Sequence, residues 1–149
     1  MIKLVPMSED EREQYGIRMA RTYAEEMVSA AGVSEQEAYA IATAHMELDL
    51  SEDAAEQCYR IVAAQSRENV GETAIVLGGA DAFLLDFRIE TRFHGKGYGS
   101  AAMRRIERLA VESGASQIRL HVFARNDAAR SLYERRGFDA VSLQMRKTL

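Results

Sequence analysis

An α+β fold is what the 149-residue sequence predicts: a central, mostly antiparallel twisted sheet with one parallel strand pair, flanked by about four helices. Three observations carry this expectation. Two capped amphipathic segments follow a short first strand; three strand-like segments with short links come next, as in an antiparallel meander; a strand, helix, strand unit then makes a parallel pair through its crossover. At 47% hydrophobic and 28% charged residues, with one Pro, the chain has the composition of a single globular domain. A domain of this size reaches stability without disulfides or a structural metal.

Ile2 to Val5 is a short apolar run before Pro6, hence a first strand. Ser8 and Glu11 form a capping box, and Tyr15, Met19, Tyr23 and Met27 recur at four-residue steps, so a long amphipathic helix runs to Gly32. Ser34 and Glu37 repeat the device ahead of a second helix. Its apolar face carries Ala38, Ile41, Ala42, His45 and Leu48, and it runs out in the acidic stretch 49–56. Segments 59–64, 72–77 and 82–90 are rich in β-branched and aromatic residues and are separated by the turn compositions SRENVG and GGAD. After Glu90 comes the glycine-rich HGKGYGS, then a helix over 101–113 with Met103, Ile106, Leu109 and Ala110 on one stripe and Gly114 as its stop. Segment 117–123 alternates as a strand. Asn126 caps a last helix, 127–136, stopped by Gly137, and Phe138 with 141–148 supplies a final extended segment.

Charge and composition exclude several functions. One Cys and three scattered His leave no cluster with metal-ligand spacing, so no metal is expected. The N-terminus lacks a signal-peptide pattern and no window approaches ~18 apolar residues, so neither export nor membrane spanning is expected and the cytoplasm is the default. Residues 1–60 hold 13 acidic and 5 basic side chains, net -8, and residues 61–149 hold 10 and 14, net +4. The front of the chain repels nucleic acid, while the back can accept a small polyanion.

The chemistry concentrates after residue 83. Gly95, Gly97, Gly99 and Ser100 place unobstructed backbone N–H groups at a helix N-terminus, where the dipole and free donors favour a phosphate. Neither a dinucleotide fingerprint nor a P-loop has this spacing. From the glycines alone, a tight strand-to-helix turn serves as well. The second informative stretch is LHVFARNDAARSLYERRGF at 120–138. Together with HGKGYG it resembles the GNAT superfamily of N-acetyltransferases: Gly97 and Gly99 match the acetyl-CoA motif Arg/Gln-x-x-Gly-x-Gly/Ala. Asn126, Ala129, Tyr133, Gly137 and Phe138 match the motif Asn-x-x-Ala-x-x-x-Tyr-x-x-x-Gly-Phe. The likeness covers about residues 59–149. His94 departs from it, standing where Arg or Gln is usual.

The resemblance implies one acetyltransferase domain, with residues 1–58 as the acceptor-side strand and helices and 59–149 as the acetyl-CoA-binding core. It implies direct transfer of an acetyl group from acetyl-CoA to an amine, without an acyl-enzyme. In agreement, the sequence offers no recognisable Ser-His-Asp order, and Cys58 has no basic helper nearby in its segment. The cofactor would be held by Arg88, Ile89, His94, Gly95, Lys96, Gly97, Tyr98, Gly99, Ser100, Asn126 and Ala129, with Arg104 in reach of its phosphates. Tyr133 takes the place of the family's acid, and a phenol can donate to a leaving sulfur at neutral pH; ring packing on a helix is the alternative. For the base, Asp86 in an otherwise apolar strand is a candidate whose pKa desolvation would raise, whereas an ion pair with Arg88 would lower it. Glu90, on the same strand face as Asp86 and Arg88, can act through water; Glu72 is a third choice and His121 a relay. His45 and the Met and Tyr residues of the first helix read as core. The acceptor is a small-molecule or peptide amine, with no nucleic acid or membrane involved, and the acidic front half favours a cationic one. A homodimer is a common outcome for such folds.

Overall fold

The computed structural model describes residues 1–31 and 51–149. Strand β1 (Ile2–Pro6) is followed by helix α1 (Glu9–Ala31), then by β2 (Ala55–Ala63), β3 (Asn69–Leu77) and β4 (Asp81–Ile89). A 3-10 turn, Thr91–Phe93, leads to α2 (Tyr98–Glu112), β5 (Gln117–Leu120) and α3 (Asp127–Arg135). The described residues thus hold three α-helices, fewer than the four expected; the segment expected as a second helix, with His45, lies outside the described residues. None of these helices is long and apolar enough to cross a membrane.

The capping box forms as the sequence requires. Ser8 N–H donates to Glu11 Oε2 at 2.8 Å and Glu11 N–H to Ser8 Oγ at 3.2 Å. The five strands lie in chain order, β1-β2-β3-β4-β5, with every neighbouring pair antiparallel except β4 and β5. On one face Ile75, Leu77, Ala82 and Leu84 pack with Met103, Ile106 and Ala110 of α2 and Tyr133 of α3. Ala74 follows the other face, since consecutive strand residues point to opposite sides. There it meets Cys58 of β2 with Met7 and Tyr15, so α1 covers the side of the sheet that α2 and α3 leave.

Strand β3 starts at Asn69 rather than Glu72, inside the stretch expected as a turn, and three further boundaries differ for a physical reason. Residues 55–56, expected in the run-out of a helix, begin β2, because Ser51 N–H bonds the Gly78 carbonyl and delivers the chain to the edge of β3. Helix α2 starts at Tyr98 rather than Ala101, so Gly99 and Ser100 belong to its first turn. Strand β5 stops at Leu120 instead of residue 123, because β4 bends away from it. The final extended segment is also corrected: residues 138–149 form no strand. Val141, Leu143 and Met145 alternate as a strand would, yet they are 83%, 72% and 84% exposed and no edge among the described strands pairs with them. Alternation sets the faces of a strand; only a partner's ladder satisfies its backbone.

Candidate active site

The site originates in a defect of the sheet. Ala74 pairs with Asp86 but Ile75 with Leu84, so Leu85 is an extra, bulged residue on β4. The parallel ladder between β4 and β5 runs only from Asp81↔Gln117 to Leu84↔Leu120 and ends at that bulge. Beyond it β4 continues to Ile89 while β5 has ceased, and the two chains part. Residues 85–89 therefore present one backbone edge to the opening.

The glycine loop closes one end of that opening. Gly95 and Gly97 have φ of +72° and +83°, the left-handed region that a side chain resists, and Gly97 is the N-cap of α2. The first helical bond is Ala101 N–H to the Gly97 carbonyl at 3.1 Å, so the amides of Tyr98, Gly99 and Ser100 precede the ladder and point outward from the helix N-terminus. Lys96 Nζ and the Arg92 guanidinium both sit over the ring of Phe93, at 5.3 and 4.5 Å, which gathers positive charge beside these donors. Gly99 serves packing: a Cβ there would lie 3.4 Å from Leu132 of α3 and 3.8 Å from the side chain of Ile89. The N-terminus of α2, the end of β4 and helix α3 thus converge at one point. His94, in place of the family's Arg or Gln, has its Nε2 2.7 Å from the Ile89 carbonyl and ties the loop to the strand.

Helix α3 brings the second motif to the same place. Asn126 Oδ1 accepts from Ala129 N–H at 3.2 Å and caps the helix, as its sequence position demands. Tyr133 is buried in the core, its ring tilted against Phe138 at 5.6 Å. Burial, and then the charge of Asp86, push its pKa up to about 12, so the phenol keeps its proton.

Asp86 lies on the α1 side of the sheet. The Tyr15 hydroxyl donates to its Oδ2 at 2.5 Å, while the Thr73 hydroxyl donates to its backbone carbonyl at 2.7 Å. Desolvation raises its pKa, against opposing contributions from the Tyr15 hydrogen bond and Arg88. Of the two alternatives for Asp86, the ion pair with Arg88 is the one not formed: Arg88 lies 4.0 Å from Glu72, which also binds Arg18 at 2.7 Å. Glu72 is thereby held in an ion-pair network. Glu90 stands one residue beyond β4, bound to Arg92 at 2.9 Å rather than sharing the strand face of Asp86. His121 lies just past β5, edge-on to Phe123 at 5.0 Å, and desolvation lowers its pKa. Cys58 has a basic neighbour from outside its own segment: Arg12 approaches it from α1. Burial and Glu56 outweigh that arginine and push the thiol up to about 11, so it is no nucleophile at neutral pH. Arg104 lines a groove on the outer side of α2 with Glu107, Arg108 and Arg136. The sequence did not single out Tyr15 or Thr73 for the site; no local pattern links residue 15 to residue 86.

Asp86 also carries a stability consequence. Because burial raises its pKa, the folded chain binds its proton more tightly than the unfolded chain, whose value is ~3.9. The contribution of this group is present below the unfolded pKa and is lost as pH rises through the folded one. Asp86→Asn keeps an acceptor for Tyr15 and removes the buried charge. Its melting temperature at pH 7 is expected to exceed that of the parent by a few degrees, with the gap closing by pH 3. Calorimetry at both pH values checks this, and a destabilised D86N at pH 7 would contradict it.

Strands that part beside a helix N-terminus with outward amides leave an opening in an α+β sheet that suits an extended, anion-bearing ligand. Comparison with known proteins supplies the class. Residues 17–138 match the acetyltransferase (GNAT) family, and the chain belongs to it. It is 39% identical over 69 residues to the uncharacterised N-acetyltransferase YycN of Bacillus subtilis (strain 168), and 38% identical over 69 residues to YdgE of the same organism. Each match spans 46% of this chain and 44% of the relative, so it extends over less than half of those proteins. The crystal structure of YycN superposes with a TM-score of 0.81 at 27% identity, over 100% of this chain and 99% of that one.

Proposed function

We propose that the chain transfers an acetyl group from acetyl-CoA directly to a primary amine. The observation that carries this reading is the parting of β4 from β5 at the Leu85 bulge, beside the N-terminus of α2; the Asp86 carboxyl follows that bulge, and the Tyr133 phenol of α3, which burial and the charge of Asp86 keep protonated, completes the set. The donor set fits the cofactor, since the free amides at the N-terminus of α2 and Lys96 suit a pyrophosphate, and the open edge of β4, including Arg88 and Ile89, suits an extended amide-bearing arm. Acetyl-CoA supplies a thioester and a thiolate leaving group.

The residues divide the remaining work. An amine of pKa ~10.4 is only about 0.04% neutral at pH 7, so a proton acceptor is needed, and Asp86 fills that role in a desolvated setting. Glu90 and Glu72, each engaged by arginine, are the secondary candidates. Tyr133 donates its hydroxyl proton to the leaving sulfur. Asn126 turns its carbonyl to the helix cap and keeps its amide N–H₂ for the donor.

A cationic acceptor follows from the charge of the front half. Residues 1–60 carry a net charge of -8, with Glu25 exposed on α1; Glu47 and Asp49 lie outside the described residues. Free-thiol detection with a matched series of amines tests both readings at once. Turnover with cationic amines is expected, with kcat/KM falling as salt shortens the Debye length from about 30 Å at 0.01 M to about 8 Å at 0.15 M. A preference for anionic amines overturns the acceptor class. Acetyl-CoA binding without turnover on any amine would make the chain a non-catalytic acyl-CoA-binding module.

A further inference from the structure

Helix α1 does more than cover the sheet. Tyr15 is only 2% exposed, and its ring sits in a small cluster with Met7, Cys58 and Ala74. Its hydroxyl, at the end of a rigid and fully packed ring, reaches one acceptor, Asp86 Oδ2 at 2.5 Å. The other end of the same residue is fixed as well: Thr73, with 0% exposure, donates its hydroxyl to the Asp86 carbonyl at 2.7 Å. That carbonyl belongs to the residue directly after the bulged Leu85, where the ladder with β3 shifts register. A strand that bends needs an added restraint if the next side chain is to keep one direction, and two buried hydroxyls supply it.

We propose that Tyr15 is a positioning residue for the reaction, holding the Asp86 carboxylate in one rotamer and favouring its charged form, so that it accepts the proton of the amine. This rests on the reading of Asp86 as the proton acceptor. A phenol that donates to a carboxylate favours its charged form and works against the desolvation that favours the neutral one. The other charged and titratable groups around Asp86 are Glu72 on β3, Arg88 on β4 and Tyr133 on α3, with Cys58 of β2 beside Tyr15 and Arg18 of α1 on Glu72. Glu72 and Arg88 oppose each other in their effect on the carboxylate, and the hydrogen bond of Tyr15 is the largest of the three influences that favour its charge, ahead of Arg88 and the Phe87 N–H. The charged form of the acid on this face thus draws support from a helix more than 70 residues away in sequence.

The test is a ¹³C-carboxyl NMR titration of the whole chain, with the Asp86 resonance assigned by its absence in D86N, beside pH profiles of kcat/KM. In Tyr15→Phe, which keeps the ring, the Asp86 midpoint is expected to rise by about one pH unit, the size of one hydrogen bond to a charge. The acid limb of kcat/KM should rise with it and the rate recover at high pH, whereas a purely structural loss would lower the rate at every pH. An unmoved midpoint in folded Y15F overturns the inference while leaving Asp86 as the base. Undiminished turnover in D86N overturns the reading of the base itself, and the inference with it. Should Y15F fail to fold, incorporation of 3-fluorotyrosine, a stronger donor, tests the same bond with the opposite sign: the Asp86 midpoint must fall, and an unchanged midpoint overturns the inference.

Discussion

Tyr133→Phe is expected to lower kcat by about two to four orders of magnitude and to leave the affinity for acetyl-CoA unchanged. The reason lies in what the substitution removes. The ring of Tyr133 packs in the core beside Phe138, and phenylalanine keeps that packing. Only the hydroxyl goes, and with it a proton that burial and the neighbouring Asp86 hold up to a pKa of about 12. A group so tuned is a donor throughout the neutral range, which is what a departing thiolate requires. Steady-state turnover by thiol release, paired with calorimetric binding, separates the two parameters. Equal kcat in mutant and parent would return Tyr133 to a packing role.

Gly97→Glu should weaken acetyl-CoA binding by at least about 100-fold, through a backbone effect and a charge effect. Gly97 caps α2 at φ +83°, a conformation that costs any L side chain about 1–2 kcal/mol. The glutamate would also bring negative charge to donors that serve an anion. Space is not the limit: the nearest atom to a Cβ at this position is the terminal carbon of Met1, 3.4 Å away, so the chain is expected to fold. Gly97→Ala is the informative companion, carrying the backbone effect alone, and it should fall between parent and Gly97→Glu. Unchanged affinity in folded Gly97→Glu would remove the loop from the binding site.

Local signals placed much of this correctly. The Ser8–Glu11 capping box marked the start of α1, Gly114 the end of α2, and Asn126 with Gly137 the ends of α3, while β-branched runs marked the meander, because each is decided by a few adjacent residues. The parallel pair followed from the crossover rule. What escaped was decided at a distance. Leu85 looks like any apolar strand residue, and its bulge exists only in register with Ala74 and Ile75. The early end of β5 follows from that bulge. Tyr15 read as a core residue, and it is one; its hydroxyl acquires meaning only because Asp86 comes opposite it. Arg12 reaches Cys58 in the same way. Residues 141–148 show the converse, an alternating pattern that finds no partner among the described strands and forms no strand.

Strand order equal to chain order has a consequence for how the molecule assembles. β2, β3 and β4 are joined by short links at 64–68 and 78–80, so closing their ladders gives up little chain entropy. β1 must find β2 across the whole of α1 and the segment after it, and β5 must find β4 across α2. Contacts of low sequence separation form fastest, which makes the three-stranded meander the natural nucleus and the two outer strands late arrivals. Asp86 then already stands on the nucleus while Tyr15 and Tyr133 are still travelling with their helices. The candidate chemistry is completed last, and slow steps in refolding should be visible as a delay between recovery of the sheet and recovery of activity.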